Sequence, residues 1–151
     1  MSAEVRPLAA ADIPAVLPLV EQYWIFEDIG GFDAARIGRE ISRLLADSRL
    51  GSGWVARVDG PAVGYLLAVY VFSLEHLGLT AEIDEFFVLP SARGRKIGEE
   101  LLRQAEAEFA RRRCTNVSLQ LGRGNDRARA FYRRQGYDER AGFELLDKRL
   151  P

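Results

Sequence analysis

Residues 82–121 constrain the fold of this chain more than any other stretch. Residues 82–89 read as a strand that Pro90 ends. Residues 95–113 then carry Ile97, Leu101, Leu102, Ala105 and Phe109 at helical spacing, which predicts a helix with one buried face. Residues 116–121 alternate, with Val117, Leu119 and Leu121 apolar, which predicts a second strand. A strand, a helix and a strand in this order can form a parallel crossover unit, with the helix packed on one face of the sheet.

The remaining segments extend that unit. Residues 4–8 read as a short strand. Asp12 is a candidate N-cap, Pro14 suits a first helical turn, and Ile13, Val16, Leu17, Val20 and Trp24 recur at helical spacing. Pro18 falls inside this helix and is expected to bend it or end its first segment. Asp33 can cap a second helix carrying Ile37, Ile41, Leu44 and Leu45. Residues 54–58 and 63–72 read as two strands joined at Asp59-Gly60, a strong hairpin signal. Residues 125–135 predict a helix, and residues 137–150 a closing β-hairpin around Ala141-Gly142. The order is β-α-α-β-β-β-α-β-α-β-β, an α/β (mixed α+β) architecture with helices against a mixed sheet.

With 151 residues the chain is read as one domain, 1–151, large enough to hide roughly 68–70% of the surface of its unfolded form. Its 48% hydrophobic and 28% charged residues are ordinary for a globular protein. The most apolar run, residues 63–72, is too short for the ~20 residues of a helical membrane span, so no membrane partner is expected. Met1-Ser2-Ala3-Glu4 shows no secretory signal, and a single cysteine, Cys114, makes no intramolecular disulfide. A reducing, cytoplasmic setting is the expectation. Cys114 and the single His76 do not make an ordinary structural zinc site, and no metal is expected.

The net charge of −1 hides a division. Residues 1–92 hold six basic and 13 acidic residues, a balance of −7, while residues 93–134 hold 12 and five, a balance of +7. A basic segment in an acidic chain can receive an anionic ligand; it can equally be the solvated face of Arg-rich helices. No nucleic-acid motif accompanies Arg111-Arg112-Arg113 or Arg133-Arg134, and the total is acidic, so no nucleic-acid partner is expected.

The chemistry begins where the strand at 82–89 turns into the helix. Such a turn exposes unpaired backbone N–H groups at the positive end of a helix dipole, which suits a phosphate. Gly94 and Gly98 let a ligand approach the backbone, and Arg93, Arg95 and Lys96 add positive charge. Neither G-x-G-x-x-G nor G-x-x-x-x-G-K-[ST] is present.

Arg93-Gly94-Arg95-Lys96-Ile97-Gly98 resembles the acetyl-CoA pyrophosphate loop, [QR]-x-x-G-x-[GA], of the GNAT (GCN5-related) N-acetyltransferases. Asn125-Asp126-Arg127-Ala128-Arg129-Ala130-Phe131-Tyr132-Arg133-Arg134-Gln135-Gly136-Tyr137 resembles the second signature of that family, N-x-x-A-x-x-F-Y-x-x-x-G-[FY]. The resemblance covers nearly the whole chain. It implies the GNAT fold, a mixed, mostly antiparallel six- to seven-stranded sheet with about four helices. It implies transfer of an acetyl group from acetyl-CoA to a primary amine by direct attack, through a tetrahedral intermediate. One departure stands out: Lys96 replaces the first loop glycine of the family. A side chain there crowds the pyrophosphate if the backbone needs φ > 0, but is tolerable if Lys96 is simply the first helical residue.

What the resemblance implies for single residues follows the motifs. The pyrophosphate falls to Arg93, Gly94, Arg95, Lys96, Ile97, Gly98 and Glu99, and the pantetheine arm to the backbone of Phe86, Phe87 and Val88. Alternation puts Phe86 and Phe87 on opposite faces, so at least one is a core residue. Asn125, with Ala128 in its motif, either binds the pantetheine region or caps its helix. Tyr132 is the candidate acid that protonates the departing thiolate, with core packing as its alternative role.

Glu82, Asp84 and Glu85 are unusual on a central strand, because burying charge is unfavourable. Asp84-Glu85-Phe86-Phe87-Val88 resembles the acidic-acidic-aromatic run of the polyamine and thialysine acetyltransferases. There the first acid is the candidate base and the second contacts the amine. This makes Asp84 the base, Glu85 the amine contact and Glu82 a further acid, unless arginines neutralise them. Glu27 and Asp28, between the first two helices, are also expected on the acceptor side. His76 either shapes that side or lies on the surface. The expected acceptor is a cationic small-molecule amine, and a homodimer is compatible with the resemblance. A protein amino terminus or lysine as acceptor, or a non-catalytic acyl-CoA-binding regulatory module, are the competing readings.

Overall fold

The computed structural model describes residues 3–151. The chain divides into two units, Met1–Gln120 and Leu121–Pro151.

The first unit is built on a sheet of five strands in sequential order: β1 (Ala3–Pro7), β2 (Gly51–Val58), β3 (Ala62–Ser73), β4 (Gly78–Val88) and β5 (Val117–Leu119). The first four pair antiparallel, and β4 and β5 pair parallel across the helix α3 (Ile97–Arg111), as a crossover requires. The β2–β3 turn forms at Asp59-Gly60, with φ of 53° and 106°, the left-handed pair that a two-residue hairpin needs.

Helices α1 (Ile13–Phe26) and α2 (Ala34–Ala46) cover one face of the sheet. Ile13, Val16, Leu19, Val20 and Ile41 pack there on Val55, Tyr65, Leu67 and Phe87. On the other face α3 buries Ile97, Leu101, Leu102, Ala105 and Phe109, the five residues its spacing predicts. The Phe109 ring meets Trp54 and Tyr70 edge-on at 5.9 and 6.1 Å. Gly64 lets these layers close: a Cβ there would stand 3.3 Å from Leu101 and 3.2 Å from Val88.

Two local readings are decided against the sequence expectation: the end of a helix segment at Pro18 and the cap at Asp12. Pro18 does not end α1, which runs unbroken through it. Asp33 caps α2 as expected, accepting from Arg36 N at 3.1 Å, but the Asp12 side chain does not cap α1. Its buried carboxylate instead accepts from both Arg6 guanidinium nitrogens at 2.7 Å, from Arg57 at 2.8 Å and, as the acidic half of a capping box on the 3-10 turn before α1, from the Ala9 amide at 2.9 Å. The hydrogen bonds from Arg6 hold the Asp12 carboxyl far below the usual range, against the opposing effect of burial.

In the second unit α4 (Asp126–Arg134) is the regular element. Among the described residues the closing hairpin expected at 137–150 does not form, so the sheet has five strands rather than six or seven. Leu145 and Leu146 break the alternation a strand would need, and both are exposed. Glu139 meanwhile ties the segment to α4, pairing with Arg129 at 2.6 Å and Arg133 at 2.7 Å.

Candidate active site

A β-bulge organises the acids of β4. Leu67 lies opposite Glu85 and Ala68 opposite Ile83, so Asp84 is an extra residue with no counterpart on β3. The insertion changes the phase of the strand. Before it, Glu82 sits opposite Val69; after it, Glu85 and Phe87 sit opposite Leu67 and Tyr65, on the face covered by α1 and α2. Without the bulge Glu82 and Glu85 would point to opposite faces, since three residues separate them. With it they share one face, and Asp84 stands exposed between them.

Glu85 is half-buried and held at both oxygens. The Trp24 indole donates to Oε2 at 2.7 Å and the Tyr65 hydroxyl to Oε1 at 2.8 Å. Burial raises the Glu85 carboxyl, the two donors oppose that, and the charge of Asp84 adds to it. Asp84 is also raised, by desolvation: water reaches it, yet enough protein surrounds it to disfavour the charge. Glu82 receives a long contact from the Gln120 amide, 3.4 Å. Among the described residues of the first unit, no arginine pairs with any of the three, so the neutralisation alternative does not hold there. Glu27 ends α1, three residues after Trp24 and on the same helix face. His76 lies at the tip of the β3–β4 turn, about 20 Å along the strand from Asp84 by strand rise.

The β4–β5 ladder stops at Ile83 and Leu119, while β4 continues to Val88. Phe87 enters the core beside Tyr23, and Phe86, opposite Leu66, belongs to the other face, as alternation predicts. After β4 the chain makes a 3-10 turn, Pro90–Ala92, and then rises through Gly94 (φ 79°) into α3.

Lys96 decides between the two options the sequence leaves open. It is the residue before α3, left-handed at φ 61° and ψ 17°, not the first helical residue, so the backbone is the one in which its side chain crowds a bound pyrophosphate. No side chain caps this helix end, so the first amides of α3 have no intrahelical or capping partner. Arg95 and Lys96 are exposed beside them, Gly98 and Glu99 lie in the first turn, and Ile97 is buried and anchors it. Unpartnered amides, a sharp glycine turn and two cationic side chains fit a diphosphate such as that of coenzyme A. Arg93 points elsewhere: its Nε donates to the Val88 carbonyl at 3.0 Å and its guanidinium lies over the Phe87 ring at 5.7 Å.

In the second unit Asn125 caps α4, its Oδ1 accepting from Ala128 N at 3.2 Å. The Gly136-Tyr137 end of the motif has a structural cause. Gly136 is left-handed (φ 91°), its N–H bonds to the Arg133 carbonyl and that of Tyr137 to the Tyr132 carbonyl, at 3.1 and 3.0 Å. This is a Schellman stop, and the Tyr132 and Tyr137 rings pack edge-on at 5.5 Å across it. Tyr132 also meets Phe131 at 5.4 Å.

Sequence reading missed two residues of the acid cluster, Trp24 and Tyr65. Both look like core aromatics at helical and strand spacing, and the buried polar tips that need a partner are the signal that marks them out.

Comparison with known proteins agrees with this geometry. Residues 18–137 match the model of the acetyltransferase (GNAT) family. An uncharacterized N-acetyltransferase of Archaeoglobus fulgidus is 43% identical over 83 residues, 54% of this chain and 56% of that protein. The aminoalkylphosphonate N-acetyltransferase of Salmonella typhimurium is 39% identical over 83 residues, 54% of this chain and 53% of that one. The chain thus spans little more than half the length of these two relatives. Among solved structures, an integron cassette protein from the mobile metagenome of Cole Harbour Salt Marsh superposes with a TM-score of 0.84 at 26% identity, over 97% of this chain and 90% of that one. A family match over that length, on a fold with a bulged acidic strand and an uncapped helix start, assigns the chain to the GNAT acetyltransferase family.

Proposed function

We propose that this chain is an acetyl-CoA-dependent N-acetyltransferase whose acceptor is a primary amine on a cationic small molecule. Residues 1–151 then act as one domain, a reading supported by the family match, which runs across the boundary between the two units. The observation that carries the acceptor class is the pair Asp84 and Glu85: two carboxylates at a bulge, with no cation of the first unit beside them. Charge left uncompensated in a partly dehydrated site favours a ligand that brings the opposite charge.

The family motifs and the surroundings support the following roles. Bound acetyl-CoA supplies the acyl group as an activated thioester. The turn at residues 93–99 receives its diphosphate on amides and on Arg95 and Lys96, while Arg93 braces the turn against Val88. The β4 backbone at Phe86, Phe87 and Val88 holds the pantetheine arm, and Asn125 and Ala128, which carry the second family motif, are assigned to the binding of that arm as well. A protonated amine cannot attack, so a proton must leave first. Asp84 takes it, directly or through water, because its raised carboxyl is a better proton acceptor than an ordinary aspartate. Glu85, held by one donor at each oxygen, contacts the cation; Glu82 and Glu27 extend the negative rim. Tyr132 supplies the proton that the leaving thiolate needs.

The test is an acceptor screen with acetyl-CoA that follows thiol release. It compares 1,4-diaminobutane, 4-aminobutan-1-ol and 3-aminopropylphosphonate, similar in size but different in charge, at low and high salt. The diamine is expected to be best, with an advantage that shrinks as salt rises. The phosphonate is the sharpest counter-case, because the Salmonella relative is named for substrates of that kind. If it proves the better acceptor, the electrostatic argument fails while acetyl transfer survives.

A further inference from the structure

The acid that follows the bulge is gripped by two neutral donors from two other elements. Trp24 of α1 takes one Glu85 oxygen and Tyr65 of β3 takes the other. A carboxylate held at both oxygens cannot rotate about its last bond without breaking a hydrogen bond. The clamp is expensive in core terms. Tyr65 is fully buried, in a cluster that a phenylalanine would fill equally well, and its hydroxyl has to find an acceptor there. An apolar residue at position 85 would need neither donor. The three polar groups therefore make sense only together.

The charged surroundings sharpen the point. Among the described residues of the first unit, the titratable groups around Glu85 are Asp84 and Glu82 on its own strand, Tyr65 on β3, and Tyr23 on α1, which acts on Tyr65. None is a cation. Burial and the charge of Glu85 push the Tyr65 phenol far above its ordinary range, so it remains a donor at any working pH. Each Glu85 oxygen keeps a second lone-pair direction for an incoming N–H.

We infer that Trp24 and Tyr65 are positioning residues that fix the Glu85 carboxylate, one oxygen each, and thereby set the preference of the acceptor site for a cationic amine. The selectivity half of this inference rests on the reading of Glu85 as the amine contact; the clamp itself does not.

Tyr65→Phe removes a single oxygen atom, and Trp24→Phe keeps an aromatic ring while removing the N–H. The first measurement needs no turnover: the Glu85 carboxyl is titrated by carbon-13 NMR in the ligand-free protein. A lost hydrogen bond to a charged group corresponds to about a tenfold change in equilibrium, so the midpoint should rise by about one pH unit in each variant. An unmoved midpoint in both variants overturns the clamp. The second measurement is steady-state kinetics with 1,4-diaminobutane and 4-aminobutan-1-ol. The KM for the diamine should rise about tenfold with kcat nearly unchanged, the amino alcohol should change little, and the acidic limb for the diamine should move to higher pH. A residue that merely supports the fold would raise both KM values alike and leave that limb in place, and this result overturns the inference. A wild-type protein that acetylates neither amine, with the Glu85 midpoint still moving, removes the acceptor reading and the selectivity with it, and leaves the clamp standing. A diamine preference that survives in both variants, with the midpoint moved, overturns the selectivity half and leaves the clamp and the acceptor reading standing.

Discussion

Replacing Lys96 isolates one backbone term. The residue sits at φ 61° before α3, is exposed, and contributes no capping hydrogen bond. An L-residue in the left-handed region is disfavoured by roughly 1–2 kcal/mol, because its Cβ crowds the following carbonyl. Glycine removes that crowding, but loses more freedom on folding, an opposing effect of about 0.5–1 kcal/mol. The net expectation for Lys96→Gly is a gain of about 0.5–1 kcal/mol, or about 2 °C in melting temperature for a chain of this size. Lys96→Ala is the control. It loses the same charge and the same side-chain length but keeps Cβ, so its stability should stay within about 0.5 kcal/mol of the parent. The assay is urea unfolding of the three proteins, comparing midpoints at equal slope. Equal stabilisation by Ala and Gly would refute the backbone argument, since the benefit would then come from removing the lysine side chain. Destabilisation by Gly would show that the left-handed turn is not strained. Both variants lose one cation beside the helix start, but only Lys96→Gly also removes the Cβ that a left-handed residue turns towards a diphosphate, so coenzyme A should bind Lys96→Ala more weakly than Lys96→Gly.

Asp12→Asn leaves Arg6 and Arg57 without their shared anion and should destabilise the protein by about 3 kcal/mol in urea unfolding at neutral pH, the low end for a buried pair because both arginines reach solvent. The Asp12 carboxyl is depressed by folding, so its contribution is complete above about pH 4 and is lost as the pH falls through its lowered range; the gap between wild type and variant should therefore narrow in acid. Asp84→Asn should mainly lower kcat, and Glu85→Gln mainly raise KM. Desolvation raises Asp84, so kcat at saturating acceptor should climb with pH through a limb above the ordinary carboxylate range, and that limb of kcat should vanish in Asp84→Asn; its persistence would move the base elsewhere. Tyr132→Phe should lower turnover by about 10²- to 10⁴-fold while calorimetry shows coenzyme affinity nearly intact, and full activity would remove Tyr132 from the chemistry.

The parts of the fold that were legible in the sequence are those fixed by local rules. Asp59-Gly60 needs two positive φ angles, and few pairs supply them as readily. The buried face of α3 follows from spacing alone, and Asp33 and Asn125 cap the helices they precede. What was not legible depends on distant partners. Asp12 stands where a cap is expected, yet Arg57, 45 residues away, recruits its carboxylate. The clamp on Glu85 joins residues 61 and 20 positions apart, and periodicity sees only two aromatic residues in a core. The segment at 137–150 has the residue types of a hairpin, but strand formation depends on an edge to pair with and a face to bury, which local propensity cannot supply.

The bulge at Asp84 shows why the acids themselves were easy to find and their geometry was not. Counting residues along β4 predicts that Glu82 and Glu85 oppose each other across the sheet, one towards α1 and one towards α3. The α3 face there is apolar, formed by Leu66, Ala68 and Leu101, and a carboxylate placed on it would lie unpaired among them. Inserting one residue relieves the conflict: Glu85 turns to the face where Trp24 and Tyr65 offer donors, and Phe86 takes the α3 side. The extra residue is itself an aspartate, and having no partner on β3 it is left exposed and free of the ladder. One irregularity thus does two things for the proposed chemistry. It collects the anchoring acid on the side of α1, and it presents beside it a second carboxylate that no internal hydrogen bond of the described residues holds ionised.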